Sequence, residues 1–272
     1  MPEGRVGSTL VMRLLASSPD VGTEPRYPAG EHRYLSYCVK VAAYVCAPWR
    51  QNVDPGVTEI FFGEAEVFGP LPFVPEMLDR EALRAKVLGQ LWEAFSASML
   101  VNDPSRRLYA EKLAVPLHPL LEAGIPLRVV DCIRDPRDVL ASIRAFVEKT
   151  EVDGFVRREG ERDADYLDRF VERFGEKLDE MTATPERVDR VLVRYEDLVD
   201  DFGAVAKRLG EWLDLPLDPT VDERSRAEHP GHLTSDSPRG SVGRWKRDLP
   251  PEEAARIWAK LGSRLLRFGY MQ

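Results

Sequence analysis

The sequence predicts an α/β fold in which a parallel sheet is covered by helices. Stretches with helical periodicity alternate along the chain with short runs that are rich in β-branched and aromatic residues. Parallel strands need long crossover connections, which are usually helices, so this alternation indicates a sheet with helices on its faces. The length of 272 residues and the hydrophobic content of 43% suit one large domain, and we expect a single domain over 1–272.

The predicted elements follow one another in a regular order. Helical periodicity predicts helices at 8–17, 33–47, 80–100, 136–149, 164–181, 202–213 and 251–267. The strand-like runs are TEIFF, RRLYAE, LRVVDCI and RVLVRY. The segment 214–251 carries Pro, Gly, Ser and charge with little periodicity, and we expect a functional loop there.

Net charge and cysteine content indicate which ligands and which cellular compartment suit the protein. A net charge of −8 argues against a general binder of nucleic acid or anionic membranes, so an anionic ligand needs a local basic cluster. The cysteines, Cys38, Cys46 and Cys132, have no metal-ligand spacing and fit a reducing compartment. The chain has no long apolar run and no signal-like start, so we expect no membrane span and a cytoplasmic location.

A glycine-rich turn opens the first predicted helix. Gly4 and Gly7 let the backbone approach an anion, and the N–H groups from Gly7 to Leu10 supply positive potential at the start of the helix. Arg5 adds a charge, and Ser8 and Thr9 add hydroxyl groups. The alternative is a flexible terminus capped by Ser8. A loop of this kind follows a buried strand, so either translation starts upstream or the sheet lacks its first strand.

A second motif lies in RVVDCIRDPRDVLASIRAF. It predicts a buried strand that ends at Arg134, with Asp135 as a helix cap and Pro136 at the first helical position. Arg134 then leaves the carboxyl end of a strand, where open parallel sheets bind ligands, and Ser142 lies about two turns into the helix. Both side chains could reach one phosphate. The alternative is that Arg134 pairs with Asp135 or Asp138 and Ser142 only packs.

A third motif, SPRGSVGRWKRDL, runs from Ser237 to Leu249. It gathers basic side chains around two glycines and a tryptophan inside the long loop. Such a segment combines charge, a freely turning backbone and an aromatic surface. A solvated basic loop is the alternative, because charged runs mostly face water.

In this order, the three motifs resemble the sulfotransferases that use 3′-phosphoadenosine 5′-phosphosulfate (PAPS). The family's Pro-(Lys/Arg)-Ser-Gly-Thr-Thr loop is similar to the run from Arg5 to Leu10, with Val6 in place of the usual serine. The resemblance implies a three-layer parallel sheet flanked by helices, in a P-loop-like fold with or without the first strand. It also implies PAPS as sulfuryl donor, the corresponding bisphosphate (PAP) as product, and no metal.

The resemblance also implies roles for single residues. In the family, the first loop grips the 5′-phosphosulfate, which corresponds here to the residues Arg5, Val6, Gly7, Ser8, Thr9 and Leu10. An arginine and a serine eight residues later hold the 3′-phosphate, and Arg134 and Ser142 reproduce that spacing. Arg239 and Gly240 match the late loop, although Pro238 replaces its first basic residue. The run VRYEDLVDD looks like the family's Tyr-Glu-Asp-Leu segment and places Tyr195 near the adenine.

The general base has two candidates. The run AEK resembles the Glu-Lys of the heparan-type branch, which implies Glu111 as base and Lys112 as a cationic group near the sulfuryl group. Their alternative is an ordinary ion pair at an exposed strand end. His118 is the second candidate for the base, although a histidine in that setting is more often structural.

Two other functions compete with sulfuryl transfer. A P-loop phosphotransferase needs a lysine before the Ser/Thr of its loop, and Gly7-Ser8-Thr9 has none. The second competitor is a protein of the same fold that binds the nucleotide or serves as a scaffold without turnover. No motif identifies the acceptor, and both small-molecule and carbohydrate acceptors fit.

Overall fold

The structure is a computed structural model, and it describes residues 4–23, 33–46, 79–150, 160–183, 188–221, 234–235 and 237–272. Most of these residues are helical. The helices are α1 (Ser8–Ala16), α2 (Tyr34–Val45), α3 (Arg80–Asn102), α4 (His118–Glu122), α5 (Pro136–Thr150), α6 (Asp163–Ala183), α7 (Tyr195–Asp200), α8 (Phe202–Leu213), α9 (Trp245–Asp248) and α10 (Pro251–Leu265). Single 3₁₀ turns form at Arg239–Ser241 and Leu266–Phe268.

The strands form two small parallel sheets rather than one. In the first, β1 (Val21–Gly22) pairs with β2 (Leu108–Tyr109). In the second, β3 (Arg128–Ile133) pairs with β4 (Asp189–Arg194). The described residues therefore confirm a mixed α/β chain with parallel pairing, but they do not contain the three-layer sheet that the resemblance implies.

The long helices confirm the periodic patterns closely. Each predicted long helix forms within a few residues of its expected bounds. In α1, α6, α8 and α10 the apolar positions recur on one face and are buried, whereas in α3 only Leu88 is fully buried. Sequence reasoning missed β1, which is only two residues long, and the short helices α7 and α9. The strand predicted at TEIFF and the residues before Gly4 lie outside the described residues, so the prediction about the first strand is untested.

The segment predicted as a loop at 214–251 is partly helical. Within its described residues it forms the turn at Arg239–Ser241 and the helix α9. Low periodicity gave no signal for these short elements, which the Asp138 side chain supports by accepting the Gly243 and Trp245 amides.

The contacts divide the chain into two compact units. One unit contains the described parts of Met1–His32, Ser105–Lys112 and Leu127–Gln272. Its core is built from the apolar faces of the helices around β3 and β4, with Leu14, Ile133, Phe170, Leu209 and Ile257 among its buried side chains.

The other unit contains the described parts of Arg33–Pro104 and Leu113–Pro126. Here α2 packs on α3, and Tyr34 stacks on Phe95 with ring centroids 4.0 Å apart. The helix α4 packs against α3, where Arg84 lies 3.4 Å from Glu122.

The register of β3 and β4 brings two predicted site residues together. Ile133 pairs with Arg194 at the carboxyl ends of these parallel strands. The next residues in the chain, Arg134 and Tyr195, therefore leave the sheet side by side at the edge where open α/β sheets bind ligands.

Candidate functional site

The glycine-rich turn leads directly into α1. Gly4, Arg5 and Gly7 all have positive φ, at 64°, 60° and 88°. A Cβ atom on Gly7 would lie 2.8 Å from the Tyr195 ring, so both the backbone conformation and the close approach require glycine at that position. The turn thus places the start of α1, with its positive dipole end, beside Tyr195.

Within this motif, Val6 and Leu10 have mainly structural roles. The Val6 side chain is buried in the core, and Leu10 packs against the core. The Leu10 N–H donates to the Gly7 carbonyl at 3.0 Å. The motif predicts that the Leu10 amide faces an anion, but this hydrogen bond engages it inside the first turn of the helix. The amides at Gly7, Ser8 and Thr9 lie at the helix start.

Arg134 lies buried at the end of β3, with only 3% of its surface exposed. Its guanidinium donates to the carbonyls of Arg5, at 3.1 Å, and of Ser241. It also lies over the Tyr195 ring, 4.2 Å from the centroid. Its Nε is buried with no hydrogen-bond partner among the described residues. A buried cationic donor without an acceptor is costly, and a bound anion would remove that cost.

The alternative that Arg134 forms an ion pair with its neighbours was wrong. Asp135 accepts hydrogen bonds from the N–H, Nε and Nη2 of Arg137, so it caps α5 as predicted and also neutralises that guanidinium. Asp138 accepts the backbone N–H groups of Gly243, at 2.7 Å, and Trp245, at 2.9 Å. Burial raises the pKa of Asp138, while these amide hydrogen bonds oppose the rise.

Arg5 reaches the residues of α5 that follow Arg134. Its Nε donates to Ser142 Oγ at 3.1 Å, and its guanidinium lies 4.9 Å from the centroid of the Phe146 ring. Burial and the charges of Arg134 and Arg244 lower the pKa of Arg5 to about 10, which leaves Arg5 cationic at neutral pH. The residues that the resemblance assigns to opposite ends of the nucleotide, Arg5 and Ser142, thus contact each other directly.

Hydroxyl groups near Arg5 and Ser142 also come from the residues at 234–235 and 237–249, which we call the late segment. Thr234 Oγ1 lies 3.2 Å from Arg5 Nη2, 3.2 Å from Ser142 Oγ and 3.1 Å from Arg244 Nη1. The Tyr195 hydroxyl lies 2.8 Å from Ser241 Oγ. Sequence reasoning missed Thr234 and Ser241 as site residues. The only signal in the sequence is the density of hydroxyl residues in TSDSPRGS.

Arg239 and Gly240 lie at the surface of the same segment. The Arg239 side chain is 78% exposed and lies 3.8 Å from Asp200, so that ion pair constrains it little. The Gly240 N–H donates to Ser237 Oγ at 3.0 Å. Arg239 is therefore an exposed side chain with a weak partner, and the Gly240 amide has an acceptor within its own segment.

The predicted catalytic pair lies just after the carboxyl end of β2. Lys112 Nζ donates to Thr9 Oγ1, so this ammonium group sits at the start of α1. Glu111 accepts a hydrogen bond from the Tyr109 hydroxyl at 3.2 Å. The alternative of an exposed Glu111–Lys112 ion pair does not describe these contacts, because both side chains are partly buried and each contacts another residue.

His118 occupies a different environment. It begins α4 in the other compact unit, and its side chain is 72% exposed with Nε2 3.3 Å from Glu122 Oε1. This is the geometry of an ordinary surface pair one helical turn apart.

Comparison with protein families assigns the chain to a family. The family model described as "Sulfotransferase family" matches residues 3–219. The chain belongs to the sulfotransferase family. No curated protein and no solved structure matches the chain.

The sulfotransferase match covers the first two motifs and Tyr195, but it ends before the third motif. Membership in the family supports transfer of a sulfuryl group in general terms. The third motif lies outside the match, and it is connected to the second motif by hydrogen bonds from Arg134 to the Ser241 carbonyl and from the Gly243 N–H to Asp138.

Membrane-spanning helices and metal-binding groups are both absent from the described residues. No helix among them is both long and apolar enough to cross a membrane. No group of three or more His, Cys, Asp or Glu side chains among them could hold a metal ion.

Proposed function

We propose that the chain is a PAPS-dependent sulfotransferase that modifies a hydroxyl or amine of a small-molecule or carbohydrate acceptor. The observation that carries this proposal is the convergence of Arg5, Arg134 and Ser142 beside the start of α1. Buried guanidinium and hydroxyl donors of this kind recognise a multiply charged phosphate ligand. A donor that carries both a 3′-phosphate and a 5′-phosphosulfate matches such a site.

The nucleotide is held by groups from both ends of the site. Arg134 and Ser142 bind the 3′-phosphate, and Arg239 moves onto it from the surface. Tyr195 is fixed by Ser241 and by the Arg134 guanidinium, and it lies against the adenine. The amides of Gly7, Ser8 and Thr9 face the 5′-phosphosulfate together with the dipole of α1.

The chemistry needs a proton acceptor and positive charge near the sulfuryl group. Glu111 takes the proton from the acceptor hydroxyl or amine as that group forms its bond to sulfur. The bond between sulfur and the bridging oxygen of the 5′-phosphate then breaks, and PAP leaves with the electron pair. Lys112, held by Thr9, stabilises the negative charge that develops on the bridging oxygen.

Arg5 contributes to sulfuryl transfer from a position between the 3′-phosphate subsite and the 5′-phosphosulfate subsite. Its backbone belongs to the turn before α1, and its side chain lies on Ser142. The resemblance assigns Arg5 to the sulfuryl end, where its charge would stabilise the leaving oxygen together with the loop amides. That role requires the guanidinium to shift from Ser142 when the donor binds.

We propose that the reaction takes place in the cytoplasm, because cysteines without metal-ligand spacing fit a compartment that keeps thiols reduced. Cys38, Cys46 and Cys132 are buried thiols, and burial raises the pKa of Cys132 to about 12. Such a thiol is unreactive, as is usual for structural cysteines in a reducing compartment.

A transfer assay tests the proposal. The protein should consume PAPS and release PAP faster when a suitable acceptor is present, with a panel of phenols, alcohols, amines and sugars as acceptors. Glu111→Gln should lower this acceptor-dependent rate by about 10²–10⁴-fold, because it removes only the proton acceptor. Binding of PAP to Glu111→Gln should stay unchanged.

The controls separate the competing functions. His118→Gln should leave the rate unchanged if Glu111 is the base. A normal rate in Glu111→Gln with a low rate in His118→Gln would move the base to His118. PAP binding with no turnover over the whole panel would favour the nucleotide-binding module, and consumption of ATP instead of PAPS would favour the phosphotransferase.

A further inference from the structure

Thr234 lies where donors from three parts of the chain converge. Arg5 comes from the turn before α1, Ser142 from α5, and Arg244 from the residue before α9, and all three contact Thr234 Oγ1 within 3.2 Å. No motif in the sequence assigns a role to Thr234 or a separate role to Arg244. Their convergence on residues of the proposed nucleotide site therefore needs an explanation.

The hydroxyl oxygens of Thr234 and Ser142 both accept hydrogen bonds from arginine side chains. A hydroxyl oxygen accepts at most two hydrogen bonds and donates one. If Thr234 donates to Ser142, its oxygen accepts from Arg5 and Arg244, while Ser142 accepts from Thr234 and from Arg5 Nε. Both oxygens are then saturated. Arg244 also donates to the Thr234 carbonyl from Nη1 at 2.9 Å and to Asp248 from Nε, so its contact with the Thr234 hydroxyl is additional to these two bonds.

The charge in this region is also concentrated and shielded from water. Arg134 and Arg244 are buried, and their charges contribute to the lowered pKa of Arg5. Asp248 accepts a hydrogen bond from Arg244 Nε at 2.7 Å, which leaves the Nη1 end directed at Thr234. Arg134 Nε is buried with no acceptor among the residues that the structure describes. A dianion would supply several strong acceptor oxygens and offset the repulsion among the guanidinium groups.

We propose that Thr234 and Arg244 complete the 3′-phosphate subsite and determine selectivity for a 3′-phosphorylated nucleotide. This inference rests on the proposed function, because it takes PAP and PAPS as the ligands. In the structure, Thr234 and Ser142 serve as the acceptors that the phosphate oxygens replace. When the phosphate binds, the Thr234 hydroxyl donates to it, and Arg244 Nη1 contacts the same group.

Arg247 provides a matched control for Arg244. Both side chains donate to Asp248, and they lie three residues apart, but the Arg247 side chain is 71% exposed. Removing Arg247 therefore removes a positive charge and an Asp248 partner without changing the group that contacts Thr234. For Thr234, valine removes the hydroxyl and keeps the shape, whereas serine restores the hydroxyl.

The test compares the affinities of PAP and adenosine 5′-phosphate by calorimetry. Wild type should prefer PAP. Thr234→Val and Arg244→Gln should each lower the ratio of PAP affinity to adenosine 5′-phosphate affinity by about tenfold or more, because each removes a hydrogen bond to a charged group. Thr234→Ser and Arg247→Gln should keep the wild-type ratio, and thermal unfolding should show that Thr234→Val stays folded.

The possible contrary results distinguish a failure of this inference from a failure of the proposed function. If wild type prefers PAP and Thr234→Val keeps that preference, the inference about Thr234 is wrong while the proposed function stands. If Thr234→Val weakens both nucleotides equally, Thr234 serves the 5′ end, which also overturns the inference. If wild type shows no preference for PAP, the proposed function fails and the inference fails with it.

Discussion

Gly7 shows how a single residue sets the shape of the site. Its φ of 88° suits glycine, and its Cα is close enough to Tyr195 that a Cβ atom would clash with the ring. Two separate costs therefore oppose any larger residue at this position. The same contact ties the glycine-rich turn to Tyr195, so a change at Gly7 should disturb binding as well as stability.

Gly7→Ala should lower the free energy of unfolding by more than the cost of the backbone conformation alone. That conformational cost is about 1–2 kcal/mol for a non-glycine residue. Gly160→Ala is the matched control, because Gly160 has φ of 72° and a Cβ atom there would meet no described residue within 4 Å. Chemical denaturation of the two variants measures the difference. Equal losses would show that the contact with Tyr195 contributes nothing.

Other residues show where reasoning from the sequence reaches its limit. The cap at Asp135 and the helix start at Pro136 were predictable, because both depend on neighbours within three residues. The contacts of Arg5 with Ser142 and Thr234 span 137 and 229 positions, and no local pattern encodes them. The resemblance points to Arg5 and Ser142 as polar site residues, but it does not indicate that they contact each other.

At the scale of elements, Asp138 connects α5 to the late segment. Its two carboxylate oxygens accept the N–H groups of Gly243 and Trp245 and so fix the start of α9. The preceding turn ends at Ser241, whose carbonyl accepts a hydrogen bond from Arg134. One buried carboxylate thereby holds the segment that contributes Ser241 and Arg244 to the site.

Asp138→Asn should loosen the late segment. An asparagine oxygen can accept from one of the two amides, but its NH₂ group would face the other donor, so we expect a loss of about 1–3 kcal/mol of unfolding free energy. The preference for PAP over adenosine 5′-phosphate should also fall. Glu148→Gln changes an exposed carboxylate on the same helix and should alter neither quantity.

Thermal unfolding and calorimetric binding check this prediction together. A loss of stability with an unchanged preference for PAP would show that Asp138 supports the fold without positioning the site. An unchanged stability and preference would contradict its role as the link between α5 and the late segment.

At the scale of the whole molecule, the sequence predicted the helices better than the sheet. Long amphipathic helices repeat their pattern over several turns, whereas β1 and β2 are two residues each and carry almost no periodic signal. The sequence predicted that the strands pair in parallel, as β3 and β4 do. The register of the pair explains why Arg134 and Tyr195 lie side by side. The three-layer sheet came only from the resemblance, and the described residues do not contain it.

The proposed activity of the whole molecule depends on one property, which is recognition of a nucleotide by its 3′-phosphate. A net charge of −8 gives the chain no general attraction for anions, so selectivity must come from the local cluster around Arg5, Arg134 and Arg244. Phosphotransferases of related architecture bind ATP through a loop lysine, which Gly7-Ser8-Thr9 does not supply.

The most direct test is calorimetric titration of the protein with PAP, adenosine 5′-phosphate and ATP under identical salt conditions. PAP should bind at least about tenfold more tightly than adenosine 5′-phosphate, because only PAP carries the 3′-phosphate that Arg134 and Arg244 would contact. Equal affinity for PAP and adenosine 5′-phosphate, or tighter binding of ATP than of PAP, would contradict it.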